Sequence, residues 1–89
     1  SWDIDPDKHE RFPARLSVTA PNRPGSLAAI AEVIGEAEGN IDNLKMIRRA
    51  SDFTELRIEL EVFDLAHLNR IIAGLRQKDI VSQVERVFE

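Results

Sequence analysis

The run Thr54-Glu55-Leu56-Arg57-Ile58-Glu59-Leu60-Glu61-Val62 constrains this chain more than any other segment. Apolar or small side chains alternate with charged ones without a break. That is the period of a β-strand with one face against a core and the other toward water. In a helix the same residues would spread charge around the whole circumference. Such a strand belongs to a sheet covered on one side only, because covering both sides would bury Glu55, Arg57, Glu59 and Glu61.

The flanking segments complete that sheet. Leu16, Val18 and Ala20 alternate with Arg15, Ser17 and Thr19, which predicts a first strand over Arg15–Ala20. Leu27, Ile30, Ala31, Ile34 and Ala37 fall at helical spacing and predict a helix from Pro24 to Glu38. Its start is placed at Pro24, which has no N–H to leave unpaired, while Arg23 before a proline is pushed out of helical geometry. Gly39 is expected to supply the left-handed residue that ends it. A second strand from about Asn40 to Arg49 has a less regular pattern, consistent with a bulge near Asn43 and Leu44. Ala50-Ser51-Asp52 predicts a hairpin turn before the alternating strand. Asp64 is expected to cap a second helix with Leu65, Leu68, Ile71, Ile72 and Leu75 as its buried stripe. His67 is assigned to the exposed side of that helix. Ile80 to Phe88 closes the order as a fourth strand.

Strand, helix, strand, strand, helix, strand is the order of an α+β, ferredoxin-like βαββαβ sandwich: a four-stranded antiparallel sheet with two helices on one face. Eighty-nine residues suffice for one domain with a modest core. Residues 1–11, polar and interrupted by Pro6, are expected to be a linker from a preceding domain, with 12–89 as the folded unit. Trp2 in that linker is expected to be a packing anchor. Because the chain begins with Ser1 rather than Met, it reads as a piece of a longer protein.

Composition narrows the chemistry. A net charge of −4 argues against a domain that coats nucleic acid. The absence of cysteine excludes disulfides and thiolate chemistry. No apolar run reaches membrane-spanning length and no signal peptide is visible, so a cytoplasmic location without a membrane partner is expected. Glu55, Glu59 and Glu61 are interleaved with Arg57, the mark of a solvated ion-pair face rather than an acid–base pair. His9 and His67 are far apart in sequence, which suggests no metal cluster. No catalytic residue, cofactor or metal is therefore expected. Lys45, Arg48 and Arg49 form a basic cluster near the end of the second strand. It is either an edge guarded against aggregation or a contact for RNA. The acidic open face of the third strand opposes the RNA alternative.

Ala20-Pro21-Asn22-Arg23-Pro24-Gly25-Ser26-Leu27 joins the first strand to the first helix. A helix start with free N–H groups, and a glycine with no side chain in the way, suits a carboxylate. R-L-S-V-T-A, then N-R-P-G-S-L-A-A-I, then E-G-N-I-D-N-L resembles the ACT domain, a family of small βαββαβ modules that bind amino acids and regulate metabolic enzymes. The resemblance covers roughly residues 12–88. More narrowly, D-N-L-K-M-I-R-R, F-T-E-L-R-I-E-L-E-V-F-D-L-A-H-L-N-R-I-I and V-S-Q-V-E-R-V are similar to the C-terminal ACT domain of long RelA/SpoT-type alarmone synthetase/hydrolases.

That resemblance implies a regulatory module whose catalytic domains lie elsewhere in the parent protein. It also implies a homodimer, with the ligand between the first turn of one copy and the second strand of the other. Carried over by position, the loop side is Asn22, Arg23, Pro24, Gly25, Ser26 and Leu27, and the strand side is Asn40, Ile41 and Asp42. Backbone N–H groups would hold the carboxylate of an amino acid. Asn22, Asn40 or Asp42 would accept from its ammonium. Leu27, Ile41 and Met46 would wall its side chain, which favours valine, isoleucine or leucine. Ala20 stands where some amino-acid-binding members carry a histidine, which disfavours serine-like ligands. Asn22 serves equally well to organise the turn, and Asn40 to end the helix. Because the long RelA/SpoT-type proteins act on ribosomes, the resemblance keeps an alternative open: a non-sensing module that docks on ribosomal or transfer RNA through Lys45, Arg48 and Arg49, or on other domains of its parent.

Overall fold

The computed structural model describes residues 10–88; Trp2 and nearly all of the expected linker lie outside them. The elements are β1 (Phe12–Pro21), α1 (Ser26–Glu36), β2 (Asn40–Arg49), β3 (Phe53–Val62), α2 (Leu65–Arg76) and β4 (Gln83–Val87). The four strands form one sheet in the order β2-β3-β1-β4, antiparallel throughout, with β2 and β4 at its edges. The expected ferredoxin-like architecture is the one observed.

Alternation sets which face is buried. Leu16 lies opposite Ile58, and Val18 opposite both Leu56 and Val84, so β3, β1 and β4 contribute one apolar layer. Ile30 and Ile34 of α1 and Leu68, Ile71 and Leu75 of α2 close over it, all fully buried. On the open face Arg15 pairs with Glu59 at 3.1 Å, Ser17 donates to Glu55 at 3.0 Å and Asn40 donates to Glu61 at 2.8 Å. That face is the ion-pair surface read from the sequence, and its exposed pairs add little stability.

Four local expectations are corrected. The first helix starts at Ser26, not Pro24, because Arg23-Pro24-Gly25-Ser26 forms a turn of its own. Ser26 N–H donates to Arg23 O at 3.3 Å, and Gly25 has φ 92° and ψ −21°. Proline second and a positive-φ glycine third is a type II turn. Gly39 is not the left-handed residue ending α1; Glu38 is, with φ 64°. Gly39 N–H donates to Ile34 O and Glu38 N–H to Gly35 O, a Schellman closure with Glu38 in the place usually given to glycine. Gly39 is needed for space, since a Cβ there would stand 2.8 Å from both Ile34 Cγ2 and Ile71 Cδ1.

Leu27 and Leu65, both placed in buried stripes, are 48% and 59% exposed, and Val33 takes a core position instead. His67 is not on the surface but buried, at 2% exposure. Its Nδ1 accepts from Phe63 N–H at 2.9 Å, so Nε2 carries the proton and donates to Ala37 O at 2.7 Å. One side chain thus satisfies the approach to α2 and the end of α1. Asp64 caps α2 as expected, accepting from His67 N–H at 2.7 Å. Arg11 anchors the incoming chain nearby: it donates to Glu38 O and Glu61 O and lies over the Phe63 ring.

Candidate functional site

Where β1 runs into the type II turn, the sheet and α1 part to leave a cleft of about 370 Å³. Asn22, Arg23, Pro24, Ser26 and Leu27 form its rim, and Met46, Arg49, Thr54 and Leu56 form the side toward β2 and β3. Its apolar wall is Ala20, Leu27, Met46 and Leu56. Its polar side is the start of α1. Ser26 N–H turns back to Arg23 O and Ala29 N–H reaches Gly25 O, which leaves the N–H groups of Gly25, Leu27 and Ala28 as the open donors of the first turn. Ser26 also contributes its hydroxyl: the residue is 8% exposed, and Oγ is buried without a hydrogen-bond partner. A buried hydroxyl left unpaired is uncommon and costly unless something meets it.

Asn22 is largely committed to the fold. Its Nδ2 donates to Ala50 O at 3.0 Å and its N–H to Asp52 O at 3.2 Å, tying the loop to the β2–β3 turn. The side-chain carbonyl remains as its acceptor. The turn-organising role is therefore met, and the ligand role is narrowed to one oxygen.

The strand-side residues do not join this cleft within one chain. Asn40 and Ile41 lie opposite Glu61 and Leu60, at the far end of β2 from Arg49 and Thr54. At about 3.3 Å per residue the separation is roughly 20–30 Å.

Lys45, Arg48 and Arg49 do not form one cluster. The β2–β3 register slips between Ile41 and Asn43 and again between Met46 and Arg48, so Asp42 and Ile47 are extra residues. The first slip is the bulge expected near Asn43; the second was not anticipated. Strict alternation from Met46 would turn Arg49 to the open face. With Ile47 extra, Lys45 lies opposite Arg57 and Arg48 opposite Glu55 on the open face, while Arg49 lies opposite Thr54 on the helix side. Arg49 enters the cleft for this reason, and Arg48 packs over the Phe53 ring. Arg49 and Thr54, with Pro21 and Leu56, are cleft residues that the sequence reading did not assign to the site. The Pro24-Gly25 pair would have revealed the turn; nothing in the sequence marks the second bulge.

The sequence matches the ACT domain family over residues 8–86. The chain belongs to the ACT domain family. It is 56% identical over 97% of its length to the GTP pyrophosphokinase rsh of Brucella ovis, of which it spans 12%. Its fold matches the crystal structure of the ACT domain from a Chlorobium tepidum GTP pyrophosphokinase at a TM-score of 0.74 and 21% identity, over 86% of this chain and 99% of that one. A homoserine dehydrogenase from Thiobacillus denitrificans contains a similar fold, at a TM-score of 0.71 and 23% identity over 86% of this chain and 17% of that one. This ACT domain is thus a small regulatory unit of the kind found in RelA/SpoT-type GTP pyrophosphokinases, and not itself a catalytic one. Among the described residues no group of three or more His, Cys, Asp or Glu is placed to hold a metal ion, and no helix is long and apolar enough to cross a membrane.

Proposed function

We propose that this ACT domain senses a small branched-chain amino acid and reports it to the synthetase and hydrolase domains of a cytoplasmic parent enzyme. The observation that carries this reading is the cleft at the start of α1. It combines open backbone donors and an unpartnered buried hydroxyl with an apolar wall of Ala20, Leu27, Met46 and Leu56. Donors suit a carboxylate, and the wall suits an aliphatic side chain.

The second half of the site comes from a second copy. β2 is an edge strand with unpaired backbone groups, and it exposes Ile47. Two copies pairing antiparallel along β2 about a two-fold axis at its middle would set Asn40 of one opposite Arg49 of the other. Asn40, Ile41 and Asp42 would then approach the partner's cleft, where Asp42 would give the ammonium the charged acceptor that the cleft lacks. A ligand spanning both copies stabilises one arrangement of the pair, and differential affinity for two arrangements is what passes a signal to distant domains.

The test is calorimetry of the 89-residue chain with valine, isoleucine, leucine and serine, alongside sedimentation. Heat with the aliphatic ligands, little with serine, and a dimer tightened by ligand are expected. No heat with any of them up to millimolar concentration removes the sensor function and leaves the fold untouched.

A further inference from the structure

We propose that Arg49 is the carboxylate anchor of the cleft, and that one protomer's half of the site reads a ligand as an anion with a small branched body. It would therefore accept branched-chain 2-oxo acids as well as the amino acids. This inference rests on the sensor reading of the same cleft and adds a residue and a ligand class to it.

The argument is one of charge and inventory. The cleft is lined by two cations, Arg23 and Arg49, and by no carboxylate. Arg49 has no ion pair among the described residues, and its guanidinium offers a planar fork of donors matched to a carboxylate. The bulge at Ile47 turns it inward, a placement that the fold itself does not require. Leu27, whose N–H is open, and Ser26, whose buried hydroxyl is unpartnered, line the same cleft. Against these donors the side-chain acceptors on cleft-lining residues are uncharged: the Asn22 carbonyl and the hydroxyls of Ser26 and Thr54. A 2-oxo acid keeps the carboxylate and the aliphatic body and replaces the ammonium by a carbonyl, an acceptor that a donor-rich cleft can satisfy. Discrimination in favour of the amine is then left to Asp42 from the other copy.

The decisive experiment compares valine, 3-methyl-2-oxobutanoate and isobutylamine by calorimetry on the parent chain and on Arg49→Gln and Arg49→Lys. Valine and the oxo acid should both bind the parent, and isobutylamine, which lacks a carboxylate, should not. Arg49→Gln should weaken both acids by about ten-fold or more, the scale of one charged hydrogen bond. Arg49→Lys should recover part of the loss, and the melting temperature of both variants should match the parent, because Arg49 is exposed. Parent binding of valine that Arg49→Gln leaves unchanged overturns the anchor and spares the sensor reading. Binding of valine without the oxo acid overturns the ligand class. No heat with either acid on the parent overturns both.

Discussion

Arg49 faces Thr54 across β2 and β3 on the helix side of the sheet, while its chain neighbour Arg48 faces Glu55 on the opposite side. The pairing is continuous if Ile47 is skipped: Met46 with Leu56, Arg48 with Glu55, Arg49 with Thr54. Deletion of Ile47 should therefore straighten the strand without moving either arginine to the other face. The deletion variant is expected to unfold cooperatively at close to the parent temperature, and cross-strand amide contacts by NMR should still join Arg49 to Thr54. Loss of those contacts would show the register to be wrong.

Removing the His67 imidazole should cost more than its size suggests. His67→Ala removes a buried imidazole and with it the hydrogen bonds to Phe63 N–H and Ala37 O, two groups on half-buried residues. Each hydrogen bond is worth about 0.5–1.5 kcal/mol net, so the stability measured by urea unfolding should fall by about 1–3 kcal/mol. A loss of a few tenths would mean that water reaches both groups.

Three backbone positions at the two ends of α1 should respond in different directions. Gly39→Ala drives a methyl into Ile34 and Ile71 and should destabilise by about 1–3 kcal/mol through overpacking. Gly25→Ala meets open space but carries φ +92°, so the cost is backbone strain of about 1–2 kcal/mol. Glu38→Gly removes a side chain from φ 64° and should stabilise by about 0.5–1 kcal/mol, with its carbonyl still free to hold Arg11. Denaturant midpoints of the three variants check the signs.

A charge on the β2 edge separates dimerisation from folding. Ile47 is 46% exposed on an unpaired edge, so Ile47→Glu should leave the melting temperature of the monomer nearly unchanged. Sedimentation should shift toward monomer, and valine affinity should fall with it, because Asn40–Asp42 of the second copy would be withdrawn. A variant that still dimerises fully would place the interface elsewhere.

Much of this domain was written in local pattern. Alternation in β1 and β3 named Leu16, Val18, Ala20, Leu56, Ile58, Leu60 and Val62 as core, and all are buried. Asp64 was legible as a cap because its short carboxylate immediately precedes the apolar periodicity of α2. His67 was misplaced although its spacing was available: it sits one helical turn before Ile71 and two before Leu75, on their face. A polar residue type outweighed its position in that assignment. The start of α1 was misread because Pro24 fits a first helical turn and a type II turn equally well, and only the positive φ of Gly25 separates them.

The sequence by itself determined the order of elements, the buried face of the sheet and the loop that rims the cleft. These follow from the two-residue and 3.6-residue periods of a chain that must hide its apolar side chains. Only the tertiary structure decided that Arg49 turns inward, that Ser26 is buried without a partner, and that Asn40–Asp42 stand at the far end of β2 from the cleft. The burial of Ser26 and the place of the cleft depend on how α1 packs against the sheet, and the facing of Arg49 depends on how β2 lies against β3, where a single extra residue reverses every side chain after it.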